Sequence, residues 1–268
     1  MTGFSADWLF LREPYDVRAR STKVLAAVST ALATLPTLSI VDLACGTGST
    51  LRALAPQLPA RQSWKLVDND LGLLLRAAQA SHPRAQVTTT PVDLVRDLEA
   101  VLDGPLDLVT TSALLDLVSE SWLERLATEV AARRLPLYAA LSYDGRITFE
   151  PSDPFDGAII AAVNEHQHRD KGFGPALGPD AANRAIAQFE TVGYSVVHGA
   201  ADWLMEPQDR DMQAALLDGW ANAARETGQQ SLAEIATWLT RRSDALSHGQ
   251  SSIRVGHIDV FAAPMARR

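Results

Sequence analysis

Cysteine is nearly absent, with Cys45 the only one in 268 residues. An intrachain disulfide is therefore excluded. The composition suits a reducing compartment, so a cytoplasmic location is expected. Basic residues are outnumbered as well: 24 Lys and Arg against 32 Asp and Glu give a formal net charge of −8. That is the wrong sign for a dedicated nucleic-acid binder, and no nucleic-acid partner is expected. No uninterrupted apolar run reaches the length of a bilayer span, so no membrane partner is expected either. The opening Met-Thr-Gly-Phe-Ser-Ala-Asp-Trp lacks a basic segment followed by an apolar core, the pattern of a secretory signal. Internal repeats and low-complexity tracts are missing too. The 47% hydrophobic content is enough for one large domain, or a domain with a cap. Oligomeric state has no signature.

The most informative stretch is Leu38 to Arg52, Leu-Ser-Ile-Val-Asp-Leu-Ala-Cys-Gly-Thr-Gly-Ser-Thr-Leu-Arg. Its apolar run (Leu38, Ile40, Val41, Leu43) reads as a buried strand, followed by a glycine-bearing turn and a helix from Ser49 or Thr50. Strand, tight turn and helix together place a ligand at a helix N-terminus, where free N–H groups and the positive dipole end converge. Gly46 and Gly48 let the backbone turn sharply and approach a ligand closely. A dinucleotide fingerprint, Gly-x-Gly-x-x-Gly, needs a third glycine, and Leu51 stands there instead.

Further strands are predicted at 64–67, 86–90, 106–111, 137–142, 195–198 and 253–262. Helices are predicted at 16–35 (capped by Asp16, with a Val24, Val28, Leu32, Leu35 stripe), 49–57, 71–80, 94–102, 121–133, 180–190, 210–226 and 231–246. This alternation indicates βαβ units on a parallel sheet. Right-handed crossovers then bring the strands' C-terminal ends to one rim, where ligands bind. Asp42, Asp68, Asp93 and Ser112 each fall at the end of a successive predicted strand. Carboxylates gathered on one rim suit a cationic cofactor and repel a pyrophosphate. Asp70 competes with Asp68, but its position better fits a helix cap.

The Asp42–Gly48 segment resembles the first motif of class I S-adenosylmethionine (SAM)-dependent methyltransferases, Asp-x-x-Cys/Gly-Gly-x-Gly. The resemblance covers about 36–145 well and 180–262 in outline. It implies an α/β fold with a Rossmann-like seven-stranded sheet, mostly parallel with the last strand antiparallel, flanked by helices and topped by a helical or loop cap. Residues 1–35 would form an N-terminal lid segment and helix. Residues 36–268 would form the methyltransferase domain, with cap insertions at about 146–179 and 203–250. The implied activity is methyl transfer from SAM to a small-molecule acceptor, with S-adenosyl-L-homocysteine as product. A non-catalytic SAM-binding protein and an NAD(P)-dependent oxidoreductase are the alternatives.

By the same resemblance, the turn Ala44, Cys45, Gly46, Thr47 and Gly48 wraps the methionine part of the cofactor, and Asp42 orients its amino group. Asp68 takes the ribose hydroxyls. Asn69, Asp93 and Leu94 border the adenine, and Thr111 and Ser112 lie under the sulfur. From the N-terminal segment, Arg20 or Arg12 would meet the cofactor carboxylate and Tyr15 would cover the sulfonium.

Residues 164–179 have no place in the minimal fold and are dense in polar groups, then in Gly and Pro. Such a loop is expected to select the substrate. His166 or His168 is the candidate base. Alternation in a strand would put both on one face, but no further ligands complete a metal site, and none is expected. Arg169 and Lys171 would attract an acceptor, Phe173 would anchor a lid, and Trp203 would floor the pocket or simply pack.

Overall fold

The computed structural model describes residues 4–58, 61–80 and 82–265. The first three residues of the expected N-terminal segment lie outside them. Eight strands form one sheet among these residues: β1 (Thr37–Leu43), β2 (Arg61–Asp68), β3 (Ala85–Pro91), β4 (Leu108–Ser112), β5 (Leu137–Glu150), β6 (Tyr194–Ala200), β7 (Trp203–Met205) and β8 (Ser252–Pro264). Their order is β3-β2-β1-β4-β5-β8-β6, with β7 added along β8. The first five strands run parallel, and β8 lies antiparallel between β5 and β6. This is the sheet the sequence predicts, with the short β7 as an unforeseen eighth strand.

Helices cover both faces: α1 (Ala6–Ala19), α2 (Thr22–Leu32), α3 (Ser49–Leu54), α4 (Leu71–Ala77), α5 (Leu98–Val101), α6 (Glu120–Ala132), α7 (Asp156–Gln167), α8 (Ala181–Thr191), α9 (Arg210–Thr227) and α10 (Leu232–Ser247). Local chemistry sets several ends. Asp70 caps α4, its Oδ1 accepting from Gly72 N at 2.7 Å and Leu73 N at 3.1 Å. Ser231 and Glu234 form a reciprocal capping box on α10. One core packs α5, α6 and α8 on one face of the sheet, and a second packs α2, α3 and α4 on the other.

Two predicted elements differ. The helix expected at 16–35 is split at Arg20–Ser21, because Ser21 N donates to Asp259 Oδ2 (3.0 Å) on β8 and so leaves the helical ladder. Asp16 is then no cap. It is buried inside α1, accepting from Arg12 Nε at 2.9 Å and Trp203 Nε1 at 3.0 Å. The strand expected to stop at residue 142 continues through two register shifts to Glu150, paired with the first residues of β8. This extension, with β7, carries α7, α9 and α10 on a third core that includes Phe149, Trp203, Trp220 and Trp238. Phe149 sits edge-on to Trp220 (5.5 Å) and Trp238 (6.0 Å). Arg242 on α10 donates Nε to Asp156 Oδ1 at 3.0 Å, and both residues are buried. Among the described residues no helix is long and apolar enough to cross a membrane.

Candidate functional site

The turn after β1 is held in conformations that side chains rarely adopt. Ala44, Gly46 and Gly48 have φ of 52°, 54° and 84°. Ala113 after β4 (50°) and Leu141 in β5 (55°) share the left-handed region, so three neighbouring strands carry strained backbone at this rim. Cys45 N donates to Val67 O and Gly48 N to Cys45 O, both at 2.9 Å. A Cβ on Gly46 would meet Leu9 of α1 at 3.2 Å, so α1 lies across the turn. Arg52 fastens the two together: it donates to Thr47 O at 2.8 Å and pairs with Glu13.

Asp68 ends β2 and accepts from Gly46 N on Oδ2 (2.9 Å) and from Asp70 N on Oδ1 (3.0 Å). A carboxylate offers about four lone-pair sites, so about one on each oxygen is left for a diol. Asp42 is fully buried. Its Oδ1 accepts from Thr110 Oγ1 at 2.8 Å, and Oδ2 has no partner. Burial pushes its pKa up to about 6, against the pull of the Thr110 hydroxyl and the Arg20 charge. Thr110, the residue that fixes Asp42, was not legible as functional in the sequence. Arg20 is buried beside it, donating to Tyr138 Oη at 3.2 Å and Ser112 Oγ at 3.3 Å, while its Nε has no partner.

Val92 N donates to Asp68 O (2.9 Å), which brings the residues after β3 to the same rim. A surface cavity of about 510 Å³ is lined there by Lys65, Asn69, Thr90, Asp93 and Asp97 among others. Asp93 accepts from Val95 N at 3.0 Å, and Leu94 is buried with its carbonyl bonded to Trp122 Nε1 (2.9 Å). The Thr111 hydroxyl is bound to Leu43 O at 3.0 Å, a stitch between β4 and β1. Cys45 is buried.

Other expected positions are engaged elsewhere. Tyr15 donates its hydroxyl to Asp209 Oδ1 (2.8 Å), and the Arg18 guanidinium lies over its ring at 4.5 Å. His166 and His168 do not share a strand face. His166 is in α7 and His168 is its C-cap, so two residues of helical rotation separate them. His166 Nε2 meets Glu226 at 2.8 Å, and its Nδ1 accepts from Lys171 Nζ at 3.3 Å. His168 Nδ1 lies 3.3 Å from Ala176 O. Arg169 donates to Glu226 O at 2.9 Å. Phe173 packs edge-on against Trp122 (5.3 Å) in a loop pinned by Asp170, which accepts from Gly172 N and Gly174 N. Trp203 is buried against Trp8 and His257 with Arg12 over its ring. Among the described residues no group of three or more His, Cys, Asp or Glu is arranged to hold a metal ion.

Residues 40–135 match the sequence profile of the methyltransferase domain family. The chain carries a methyltransferase domain. The match runs from within β1 to just before β5 and includes the glycine turn. No curated protein sequence matches the chain significantly. Among solved structures, a cyclopropane-fatty-acyl-phospholipid synthase-like protein from Lactobacillus casei aligns with TM-score 0.53 and 16% identity, over 97% of this chain and 95% of that one. A putative type II methyltransferase from Anaeromyxobacter dehalogenans aligns with TM-score 0.50 and 16% identity, over 93% and 98%. At such identity these two relatives share the fold with the methyltransferase domain and nothing finer.

Proposed function

We propose that this methyltransferase passes the methyl group of SAM to a small-molecule acceptor in the space between the rim and the helical cap. The observation that carries the reading is the pair Asp42 and Asp68 at the ends of adjacent strands. One has a fully buried oxygen without a partner, and the other has lone pairs left on both oxygens. An ammonium and a ribose diol fit those two vacant acceptor sets. Asp42 would hold the amino group, and Arg20, whose Nε is unpartnered, the carboxylate. The turn at 44–48 would enclose the methionine part, with Ser112 and Thr111 beneath the sulfur. Asp68 would hold the ribose, with Asn69, Asp93 and Leu94 around the adenine.

SAM, when bound, supplies a methyl on a positive sulfur already activated for displacement. The protein's task is then alignment and exclusion of water. Helix α1, clamped to the turn by the Glu13–Arg52 pair, would shield the site. A dinucleotide reading is disfavoured by Leu51, which is fully buried where the fingerprint needs glycine for close helix–strand packing. The test is incubation with SAM carrying a tritiated methyl group and a panel of amines, phenols and carboxylic acids. Label moving into one of these supports transfer to a small molecule. SAM bound but never consumed would make the chain a non-catalytic SAM-binding protein.

A further inference from the structure

Just beyond β4, the run Leu114-Leu115-Asp116-Leu117-Val118 forms a short 3-10 turn with a carboxylate in its middle. Asp116 is 6% exposed, and its Oδ1 is buried without any hydrogen-bond partner. An unsatisfied buried carboxylate oxygen costs stability and calls for an explanation. No side chain provides one. Two backbone amides, its own and that of Tyr143 in β5, favour the charged carboxylate, as do the Arg12 charge from α1 and the Lys171 charge from the loop after α7. The neighbouring side chains are directed elsewhere: Arg12 Nε to Asp16, the Tyr143 hydroxyl to Asn164 Oδ1 at 2.7 Å, and Lys171 Nζ to His166, and Oδ1 is left unpartnered.

The position is also right. Leu9 and Arg12, one turn apart on the same face of α1, reach Gly46 and the neighbourhood of Asp116 respectively. That face therefore bridges the cofactor turn and the Asp116 carboxylate. Arg12 also faces Trp203 and His257, which stack on each other at 4.6 Å, and Tyr143 lies edge-on to His257 at 6.1 Å. Tyr143, His257 and Trp203 thus form one aromatic cluster, linked to the Asp116 carboxylate through the Tyr143 backbone amide and the Arg12 charge.

We propose that Asp116 is the acceptor-side base of this enzyme and that the acceptor presents an O–H or N–H donor to its Oδ1, as a hydroxyl or amine does and an anionic carboxylate does not. This rests on the methyltransferase reading above and deepens it. The acceptor's lone pair forms the new bond to the methyl carbon, and the carbon–sulfur bond breaks with its electron pair left on sulfur. The acceptor's proton passes to Asp116 Oδ1 and then to solvent. Burial, opposed by the backbone amides and the Arg12 and Lys171 charges, raises the Asp116 pKa to about 6, so the group is ionised at neutral pH yet basic enough to take a proton.

The test compares full-length wild type with Asp116→Asn. S-adenosylhomocysteine titrated by calorimetry should bind both proteins within about threefold. With the panel of amines, phenols and carboxylic acids, the variant should lose about a hundredfold or more of transfer, and the wild-type limb near pH 6 should vanish from its pH profile. Because an ionised, unsatisfied carboxylate strains the fold, the variant should also melt a few degrees higher at about pH 8 and no higher at about pH 4. A lower melting temperature at the higher pH would make Asp116 a structural residue and overturn the proposal, as would a large loss of homocysteine-product binding or an acceptor that is a carboxylate. Failure of wild type itself to bind that product would instead reject the methyltransferase reading.

Discussion

Replacing Asp68 with Asn changes one charged group into a neutral one of the same shape, and its consequences can be worked from four hydrogen-bond positions. Two are filled, by Gly46 N at 2.9 Å and Asp70 N at 3.0 Å. An amide has one oxygen, so its NH₂ must face one of these donors, and a bond to a charged acceptor is lost. That costs about 1.5–3 kcal/mol, or a fall of roughly 3–5 °C in Tm for a chain of this size. The two remaining positions are those assigned to the ribose. Weakening both bonds by about 1.5 kcal/mol each reduces affinity for S-adenosylhomocysteine by about a hundredfold. Isothermal titration reads the second effect and calorimetric melting the first. Asp70→Asn is the control. Asparagine caps a helix as well as aspartate, so this variant should change neither quantity by more than about a factor of two in affinity or a degree in Tm. Unchanged product affinity in Asp68→Asn, or the larger affinity loss in Asp70→Asn, would refute the reasoning.

Three further predictions follow from the same geometry. His257 is buried among Tyr143 and Trp203, and burial, aided by the Arg12 charge, lowers its pKa to about 3. The unfolded chain takes up a proton near pH 6.5 that the native state refuses, so stability is lost as pH falls from about 6.5 towards 3, by on the order of 4 kcal/mol. His257→Phe should flatten that part of a stability–pH curve measured with urea, and an unchanged slope would contradict it. Gly48→Ala places a Cβ 3.2 Å from the Cβ of Ala80 at a φ of 84°. It should cost about 1–2 kcal/mol by denaturant unfolding, and a neutral result would show that the turn relaxes. Arg242→Met leaves Asp156 buried without its partner, so unfolding free energy should drop by about 3–5 kcal/mol; a loss below about 1 kcal/mol would mean that water reaches the carboxylate.

The sheet was readable because each parallel strand is a short apolar run ended by a polar rim residue, and the crossover rule puts those ends on one side. Asp42, Asp68 and Asp93 needed only that rule. The break between α1 and α2 was not readable, since the acceptor that causes it, Asp259, lies 238 residues away from Ser21. The extension of β5 was hidden by its two register shifts, which interrupt the alternation that marks a strand. His166 and His168 would share a face only in a strand, and the helix α7 runs through His166. Asp116 has a mark of its own in the sequence: a lone carboxylate in an apolar run immediately after a strand end.

A rim of carboxylates that grips a cationic sulfur nucleoside is the centre of the proposed site. A crystal structure with S-adenosylhomocysteine tests it most directly. The ribose hydroxyls should lie on the two oxygens of Asp68, the amino group beside Asp42, and the adenine against the cavity shared by Asn69 and Asp93. The product bound elsewhere, or bound with Asp68 untouched, would contradict it.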